Sequence, residues 1–349
     1  MLLIRAPHQQ TRETSLAATR RLRTLRGPTK PVAFMNFQQL RSVRETVRQG
    51  FNLTQVADAL HTSQPGVSRQ IKELEDELGA ELFVRAGRRF LGLTPTGELA
   101  LPIIERLLQE AENLRRVAAD FVLSDSGMLT VAATHTQARY ALPTAVRDFR
   151  DSHPRVSLHL QQGSPRQIAE LVASGVADLG IATEALADYP ELVTLPCYRW
   201  SHVVVVPRGH ELAELQQPLT LERLAQFPLV TYEPGYTGRR HIDEAFERAG
   251  LDVDVVLSAM DADVIKTYVD LGIGVGIVAS VAFDEVRDDH LVALDARHLF
   301  ALNTTRVAIK RGAVLRGFVL EFIQTFAPTL TREVVAAALA AKPGEEPEG

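Results

Sequence analysis

The sequence predicts an α/β protein that begins with an N-terminal all-α winged helix-turn-helix. Two observations support this prediction. Between residues 56 and 78, apolar side chains recur at helical spacing, and a short basic hairpin follows them. From residue 128 to residue 279, short runs of strand-forming residues alternate with helical or loop segments, which is the pattern of an α/β domain.

The stretch 61–79 predicts the turn and second helix of the helix-turn-helix. Thr62 or Ser63 can cap this helix, and Pro65 suits its first turn, where no amide hydrogen is needed. A helical pair in any bundle shows a similar apolar stripe, so periodicity alone leaves that alternative open. The face opposite the stripe carries side chains that can meet base edges or phosphates: Thr62, Ser63, Gln64, Pro65, Ser68, Arg69 and Lys72.

The residues that follow favour double-stranded DNA as the partner. Residues 81–85 and 90–93 are predicted strands, and Gly87 supplies the turn between them. Such a hairpin is a wing. Its tip and edge carry three guanidinium groups that can contact the phosphate backbone: Arg85, Arg88 and Arg89.

This segment resembles the N-terminal signature of the LysR-type transcriptional regulators. Gly66 departs from the signature, where the family more often has alanine. The resemblance implies a DNA-binding regulator. The matching positions, in order and spacing, are Ala57, Leu60, Ser63 to Pro65, Ser68, Gln70, Ile71, Leu74, Glu75, Leu78, Gly79, Leu82, Phe83, Arg85 and Leu93 to Gly97.

The composition of the chain argues against disulfide-bonded, multi-cysteine metal-binding and membrane proteins. The 349 residues contain one cysteine, so no internal disulfide and no multi-cysteine metal site can form, and a reducing cytoplasm is the expected location. The apolar run 273–283 is too short to cross a bilayer, so no membrane segment is expected. The net charge of −5 is unevenly spread: residues 1–34 carry seven basic side chains and one acid, whereas residues 96–349 are strongly acidic. DNA affinity must therefore depend on where the arginines point.

Both ends of the chain are expected to lie outside the folded domains. Residues 1–34 are basic and rich in arginine, serine and threonine, and they are interpreted as a disordered extension that precedes a domain at 35–94. A flexible DNA-contacting arm, a transit-like peptide, or residues upstream of the natural start are the three alternatives. Residues 331–349 are predicted to be a C-terminal helix and a disordered acidic tail.

Residues 95–123 form a long predicted linker helix. An apolar seam recurs at three, four and seven residues along it: Leu99, Ile103, Leu107, Leu114, Val117 and Phe121. In LysR-type proteins the matching helix pairs with that of a second subunit, which implies a homodimer or homotetramer that presents two winged modules to two half-sites. A helix on the surface of its own domain is the alternative.

A polar hinge begins at residue 124, and seven strands are predicted beyond it, at 128–133, 155–160, 178–182, 202–206, 229–232, 253–257 and 273–279. The family resemblance implies an effector-binding domain at 124–330 with two Rossmann-like lobes, as in type 2 periplasmic binding proteins. Lobe 1 is expected near residues 127–197 and 303–330, and lobe 2 near residues 198–302.

The segment after the first of these strands predicts an anion site. If a helix begins there, its free amides face the cleft beside the hydroxyls of Thr134 and Thr136 and the amide of Gln137. Thr183 and Thr237, at the ends of two other segments, could add hydroxyls. Each threonine alone is a weak signal, because threonines commonly cap helices.

Several blocks resemble the CysB-like subgroup, the regulators of cysteine biosynthesis and sulfur assimilation. They include residues 134–143, 162–165, 181–185, 195–200, 237–239 and 261–268. The resemblance implies a site for sulfate, thiosulfate or an acetylserine, an activator of sulfur-assimilation genes, and RNA polymerase as a candidate partner. A LysR-type protein that responds to another small acid is the alternative. The residues implied to line the site are Thr134, Thr136, Gln137, Thr183, Trp200 and Thr237.

No other residue predicts chemistry, so no enzyme, cofactor or metal site is expected. Cys197 is interpreted as a small apolar side chain. Asp261 and Asp263 suggest a metal or acid pair, but Lys266 one turn along favours helix capping and cleft orientation. His135 lies where a ligand approaches, yet nothing in the sequence places a serine nucleophile and an acid beside it. A solute-binding protein would have no winged helix-turn-helix.

Overall fold

A computed structural model describes residues 35–87, 89–122 and 126–341. The chain divides into two compact units, residues 1–111 and residues 112–349. The interpretations of residues 1–34, of Arg88, of the first two residues of the hinge at 124 and of the acidic tail lie outside the described residues.

The first unit contains the helix-turn-helix and the wing. The side chain of Asn36 caps the first helix in a capping box with Gln39, and Ser63 caps the third by accepting a hydrogen bond from the amide of Gly66, as one of the two predicted caps. The third helix ends at Gly79 in the left-handed conformation (φ 66°). The elements are α1 (Phe37–Arg48), α2 (Leu53–Ala59), α3 (Gln64–Leu78), β1 (Phe83–Ala86) and β2 (Arg89–Leu93).

The apolar stripe of α3 forms the core of this unit. Val67, Ile71 and Leu74 are fully buried against Val56 of α2. Phe83 of the wing stacks on Phe90 with ring centroids 4.8 Å apart, which fixes the antiparallel hairpin over the same core. Each such buried side chain contributes about 2 kcal/mol of hydrophobic stabilisation.

Helix α4 (Pro95–Val122) is the long helix predicted from the sequence. Ile104 and Leu108 on one side are buried in the core of the first unit. The predicted seam lies on another side. Its members with described side chains are exposed: Leu99, Ile103, Leu107, Leu114 and Val117.

The second unit contains two five-stranded sheets. The lobe 1 sheet has the order β4-β3-β5-β12-β6, in which β4, β3 and β5 are parallel and β12 runs antiparallel to both of its neighbours. Helices cover both faces. The elements are β3 (Gly127–Ala133), a π-helix (Gln137–Ala141), α5 (Leu142–Ser152), β4 (Val156–Gln162), α6 (Pro165–Ser174), β5 (Leu179–Ala182), β6 (Leu192–Trp200), β12 (Asn303–Lys310), α10 (Gly317–Phe326) and α11 (Arg332–Ala340).

The lobe 2 sheet repeats this arrangement, with the order β11-β7-β10-β8-β9. Strands β10, β8 and β9 are parallel, and β7 is antiparallel to β10 and β11. The elements are β7 (His202–Pro207), α7 (Leu221–Leu224), β8 (Leu229–Tyr232), α8 (Arg239–Ala249), β9 (Val255–Ala259), α9 (Ala262–Asp270), β10 (Val275–Ala279) and β11 (Leu291–Asp295).

The chain passes between the lobes twice. It leaves the lobe 1 sheet at Trp200 and enters lobe 2 at His202, and it returns between β11 and Asn303. The two crossings lie next to each other, because Asn303 pairs with Trp200. The two-lobed α/β fold predicted from the sequence is confirmed. No helix within the described ranges has the length and apolar character that spanning a membrane requires.

Candidate DNA-binding and effector sites

A buried carboxylate joins the wing to α3. Glu75 is 6% exposed, and its Oε1 accepts hydrogen bonds from the amides of Leu82 (2.8 Å) and Phe83 (3.2 Å). The guanidinium of Arg85 donates to Oε2 of the same carboxylate and lies over the ring of Phe90. Removing the cation would leave a buried carboxylate without its countercharge, so Arg85 has a structural role. Its predicted phosphate contact stays a prediction.

The outer face of α3 carries the other predicted DNA-binding side chains. Thr62, Gln64 and Pro65 are exposed, and Ser68 is half-buried. The amide of Gln64 donates to the hydroxyl of Thr54 in α2, so this side chain is oriented by the preceding helix.

The basic side chains of this region differ in their partners. Arg69 donates to Glu73 one turn along α3 at 2.8 Å, which neutralises part of its charge. Lys72 and Arg89 are exposed, and neither has an ion-pair partner among the described residues. Among the described residues of the predicted DNA-binding set, these two cations have charge available to a phosphate.

The candidate effector site lies at the end of β3. Helical structure begins directly after Thr134, since the amide of Ala138 donates to the carbonyl of Thr134 at 2.9 Å. The amides of residues 135–137 therefore precede the first helical hydrogen bond. Thr134, Thr136 and Gln137 are all buried, and the hydroxyl of Thr136 makes no well-aligned hydrogen bond to another described residue. A wholly buried hydroxyl without a partner costs free energy unless a bound group or water satisfies it.

Lobe 2 places a phenol beside this hydroxyl. Tyr232 is fully buried at the end of β8, and its oxygen accepts a hydrogen bond from the amide of Ala279 at 3.0 Å. Burial raises the pKa of Tyr232, and the amide of Ala279 and the hydroxyl of Thr136 partly offset this rise. Nothing local in the sequence distinguishes Tyr232 from an ordinary core residue, so no sequence pattern predicted it as a site residue.

A hydrogen-bonded cluster joins two predicted site residues. Nε2 of Gln137 and Nε1 of Trp200 both donate to the hydroxyl oxygen of Thr305, each at 3.1 Å. The hydroxyl of Tyr198 donates to Oε1 of Gln137 at 2.5 Å. Tyr198 lies in the block 195–200 that resembles the family subgroup but was not predicted to line the site, and no sequence signal pointed to Thr305. Gln137 and Thr305 are 168 positions apart, so only the fold brings them together.

The remaining two threonines lie in different lobes, and each follows a strand. Thr183 is buried and follows β5, which is adjacent to β3 in the lobe 1 sheet. Thr237 is buried in the left-handed region (φ 39°), and its carbonyl accepts a hydrogen bond from Nε2 of His202 at 3.3 Å. Burial lowers the pKa of His202 to about 4, so this imidazole is neutral near pH 7.

Asp263 in the first turn of α9 contacts lobe 1. Its carboxylate accepts hydrogen bonds from Tyr140 (2.6 Å) and His135 (3.2 Å), and Arg139 lies at 3.4 Å. The acid beside His135 comes from a distant part of the chain, which is why no local pattern in the sequence indicated it. Asp261 caps α9 through the amide of Val264, as predicted.

Asp261 and Asp263 lie close enough to His135 to be considered as ligands of a metal ion. Ligand atoms of His135, Asp261 and Asp263 lie within 4.8 Å of one another. However, Arg139 and Lys266 already supply positive charge to Asp263, at 3.4 and 3.7 Å. Lys266 is itself held by Asp288 at 2.9 Å. The arrangement is an ion-pair cluster between lobes, which disfavours a further cation.

Cys197 packs against the core of lobe 1, as predicted. Its thiol donates a weak hydrogen bond to the carbonyl of Leu195, and burial raises the pKa of the thiol to about 12. A thiol with this pKa contains very little thiolate near neutral pH.

The fold and these surfaces define a two-part regulator, in which a winged helix-turn-helix and a two-lobed binding module share one long helix. The family described as "Bacterial regulatory helix-turn-helix protein, lysR family" matches residues 37–98, and the "LysR substrate binding domain" family matches residues 124–331. The chain belongs to the LysR family of transcriptional regulators.

Two named regulators and one solved structure are similar to this chain over most of their own length. The HTH-type transcriptional regulator SsuR of Burkholderia cenocepacia is 58% identical over 305 residues, which cover 87% of this chain and 99% of that protein. The regulator CysB of the same organism is 54% identical over 305 residues, 87% of this chain and 97% of that protein. The crystal structure of the cofactor-binding domain of the Cbl transcriptional regulator has a TM-score of 0.60 and 47% identity, and covers 62% of this chain and 95% of that chain.

Proposed function

We propose that this chain regulates genes of sulfur assimilation and cysteine biosynthesis, and that it does so in response to a small sulfur-pathway anion bound between the lobes. The observation that carries the proposal is the hydroxyl of Thr136, which is wholly buried at the start of a helix and makes no well-aligned hydrogen bond, with only the phenol of Tyr232 identified beside it. The relatives named SsuR, CysB and Cbl support the choice of pathway.

The chemistry of the site favours a tetrahedral dianion such as sulfate. The candidate donors are neutral: the hydroxyls of Thr134, Thr136, Thr183 and Thr237, the amide of Gln137 and the helical backbone amides. Neutral donors can satisfy the oxygens of an anion without the desolvation penalty of burying an ion pair. Arg139, the nearest arginine in the sequence, is already paired with Asp263.

For DNA binding, α3 is proposed to enter the major groove, and the wing is proposed to lie over the phosphate backbone. The outer face of α3, from Thr62 to Lys72, is proposed to contact base edges and phosphates. Arg89 and Arg88 are proposed to contact phosphate, whereas Arg85 acts chiefly by holding the wing through Glu75.

Self-association is proposed to use the seam of α4. Leu114 is 71% exposed and Leu107 is 42% exposed in the single chain, although both lie on a helix with heptad-like spacing. Pairing two such seams would bury this surface and present two winged modules to two half-sites. A homotetramer would combine two of these dimers.

Regulation then requires that the effector favour one arrangement of the subunits, and that this arrangement bind the promoter differently. The segment 134–140 is suited to this coupling, since it carries the candidate anion donors and also contacts Asp263 of lobe 2. Activation of transcription through RNA polymerase is part of the proposal, and no catalytic role is proposed.

The sole tryptophan of the chain, Trp200, provides a direct test. Sulfate, thiosulfate and O- or N-acetylserine should each be titrated into the full chain while tryptophan emission is followed. A saturable change with one of these compounds supports the proposal and identifies the effector. If none of them changes the emission or binds by calorimetry, the sulfur assignment is wrong, and the alternative is a LysR-type regulator of another small organic acid or anion.

A further inference from the structure

We propose that Thr305 is a positioning residue of the effector site, which fixes Gln137 so that it presents an amide hydrogen to the bound anion. The inference rests on the proposed function and adds a residue to the same site. Thr305 is fully buried on β12, and its hydroxyl oxygen is the shared acceptor of Gln137 and Trp200.

The direction of these hydrogen bonds follows from the chemistry of the groups. The indole N–H of Trp200 can only donate, so the oxygen of Thr305 must accept from it. The second lone pair of that oxygen accepts from Nε2 of Gln137. The hydroxyl of Tyr198 donates to Oε1 of Gln137, which holds the amide from its other end. One amide hydrogen of Gln137 then remains, and the structure gives it no acceptor among the described residues.

Strand register explains why these groups meet. Thr305 pairs with Tyr198 across β12 and β6, and the register shifts directly after Thr305, so that Arg306 pairs with Pro196. Cys197 is the extra residue of this bulge. A bulge locally changes the direction of side chains, and here it lies beside the point where the chain passes between the lobes.

The consequence concerns specificity. A glutamine amide offers either its oxygen or its nitrogen to a ligand, and free rotation would present both. With its oxygen held by Tyr198 and one amide hydrogen held by Thr305, Gln137 is oriented so that its second amide hydrogen is the group presented to a ligand. A donor suits a fully ionised oxyanion, which can only accept hydrogen bonds.

The test compares full-length Thr305→Val and Thr305→Ser. Valine keeps the shape of the side chain and removes the hydroxyl, whereas serine restores it. We expect Thr305→Val to bind the probe anion sulfate about tenfold more weakly, which corresponds to about 1.4 kcal/mol. Thr305→Ser should stay within about threefold of the wild type. Thr130→Val, a buried threonine in the middle of β3, is the matched control and should leave affinity unchanged.

The emission of Trp200 supplies a readout that a general loss of packing would not move in the same way. Loss of the acceptor for the indole N–H should shift the emission of Thr305→Val to shorter wavelength without ligand, and Thr305→Ser should restore it. If Thr305→Val does not fold, Tyr198→Phe removes the other contact to Gln137 and should weaken sulfate binding by about threefold or more.

The outcomes separate the two proposals. If the wild type binds sulfate and both Thr305→Val and Tyr198→Phe bind it equally well, the positioning role is wrong and the proposed function stands. If the wild type binds none of the sulfur compounds, the proposed function is wrong and this inference is overturned with it.

Discussion

The hydroxyl of Tyr140 donates a hydrogen bond of 2.6 Å to the carboxylate of Asp263, and this bond joins the two lobes. Tyr140 follows the candidate anion donors of lobe 1, whereas Asp263 begins α9 of lobe 2. His135 and Arg139 contact the same carboxylate. Any change at the candidate effector site that moves residues 134–140 therefore also changes the contact between the lobes.

The first prediction concerns Asp263→Asn and pH. Burial raises the pKa of Asp263, but hydrogen bonds from Tyr140 and His135 together with the charges of Lys266 and Arg139 outweigh it, so the pKa lies below its ordinary value. A lowered folded-state pKa contributes stability above the unfolded pKa of about 4, and that stability is lost as the pH falls through the folded value.

Asp263→Asn should therefore lower the free energy of unfolding at pH 7, by roughly 1 kcal/mol since the group is partly exposed. The difference from the wild type should be constant between pH 8 and pH 5 and should shrink below about pH 4. Urea denaturation across this range measures it, with the exposed Asp289→Asn as control. A difference that grows as the pH falls contradicts the prediction.

The second prediction concerns Thr136→Val. Because the hydroxyl is buried and makes no well-aligned hydrogen bond, its removal should not destabilise the fold, and it should raise the unfolding free energy by up to about 1 kcal/mol. Sulfate affinity should fall about tenfold or more, because a donor to the anion is lost. Calorimetric titration and thermal unfolding of the same preparation measure both quantities. Equal sulfate affinity in variant and wild type would remove Thr136 from the site.

The third prediction separates two arginines of the wing. Arg85→Ala leaves the buried carboxylate of Glu75 without its cation, so the first unit should lose about 3 kcal/mol of stability. Arg89→Ala should leave stability unchanged and weaken binding to all DNA sequences alike. The slope of the logarithm of the binding constant against the logarithm of salt concentration should become smaller by about one. Thermal unfolding and DNA titrations at several salt concentrations distinguish them. Similar melting temperatures for both variants would show that the Glu75 contact is not structural.

The fourth prediction concerns the exposed seam of α4. Leu114→Glu should leave the single chain folded, because this side chain is 71% exposed, yet it should raise the dissociation constant of the dimer at least about a hundredfold through burial of a charge. Light scattering after size exclusion measures the mass. Val286→Glu, at an exposed position of lobe 2, should keep the wild-type mass. An unchanged assembly for Leu114→Glu would place the interface elsewhere.

The fifth prediction concerns Cys197. Since burial raises the pKa of the thiol to about 12, its reaction with a thiol reagent at pH 8 should be at least about a hundredfold slower in the native protein than in urea. The rate should rise with pH as thiolate forms. Cys197→Ala should retain the response to sulfate. Fast native labelling, or a lost response, would point to a redox role.

Much of the fold could be predicted from local pattern. The strand 229–232 has the predicted bounds, and the helix-turn-helix has one of its two predicted caps. Strands β6, β11 and β12 were missed. β6 contains Pro196, which argues against a strand, but β6 is an edge strand, where a missing amide hydrogen is tolerated.

The candidate site was predictable only in part. Thr136, Gln137 and Trp200 follow strand ends or family motifs, and their burial agrees with a site. Thr305 and Tyr232 reach the same region from strands that are distant in sequence, so no local spacing points to them. Asp263 was interpreted as part of a cap, and its contact with Tyr140 depends on how the lobes close.

The most direct test of the central claim is binding of the full chain, at a stated salt concentration, to the promoter upstream of the sulfate-uptake and cysteine genes of its own organism. The titration is repeated with sulfate, thiosulfate and O- and N-acetylserine, and with Thr136→Val. We predict sequence-specific binding whose affinity or complex size changes with one of these compounds, and no such change in Thr136→Val. Specific binding to this promoter that none of the compounds alters would contradict the proposed effector, and absence of specific binding there would contradict the proposed target genes.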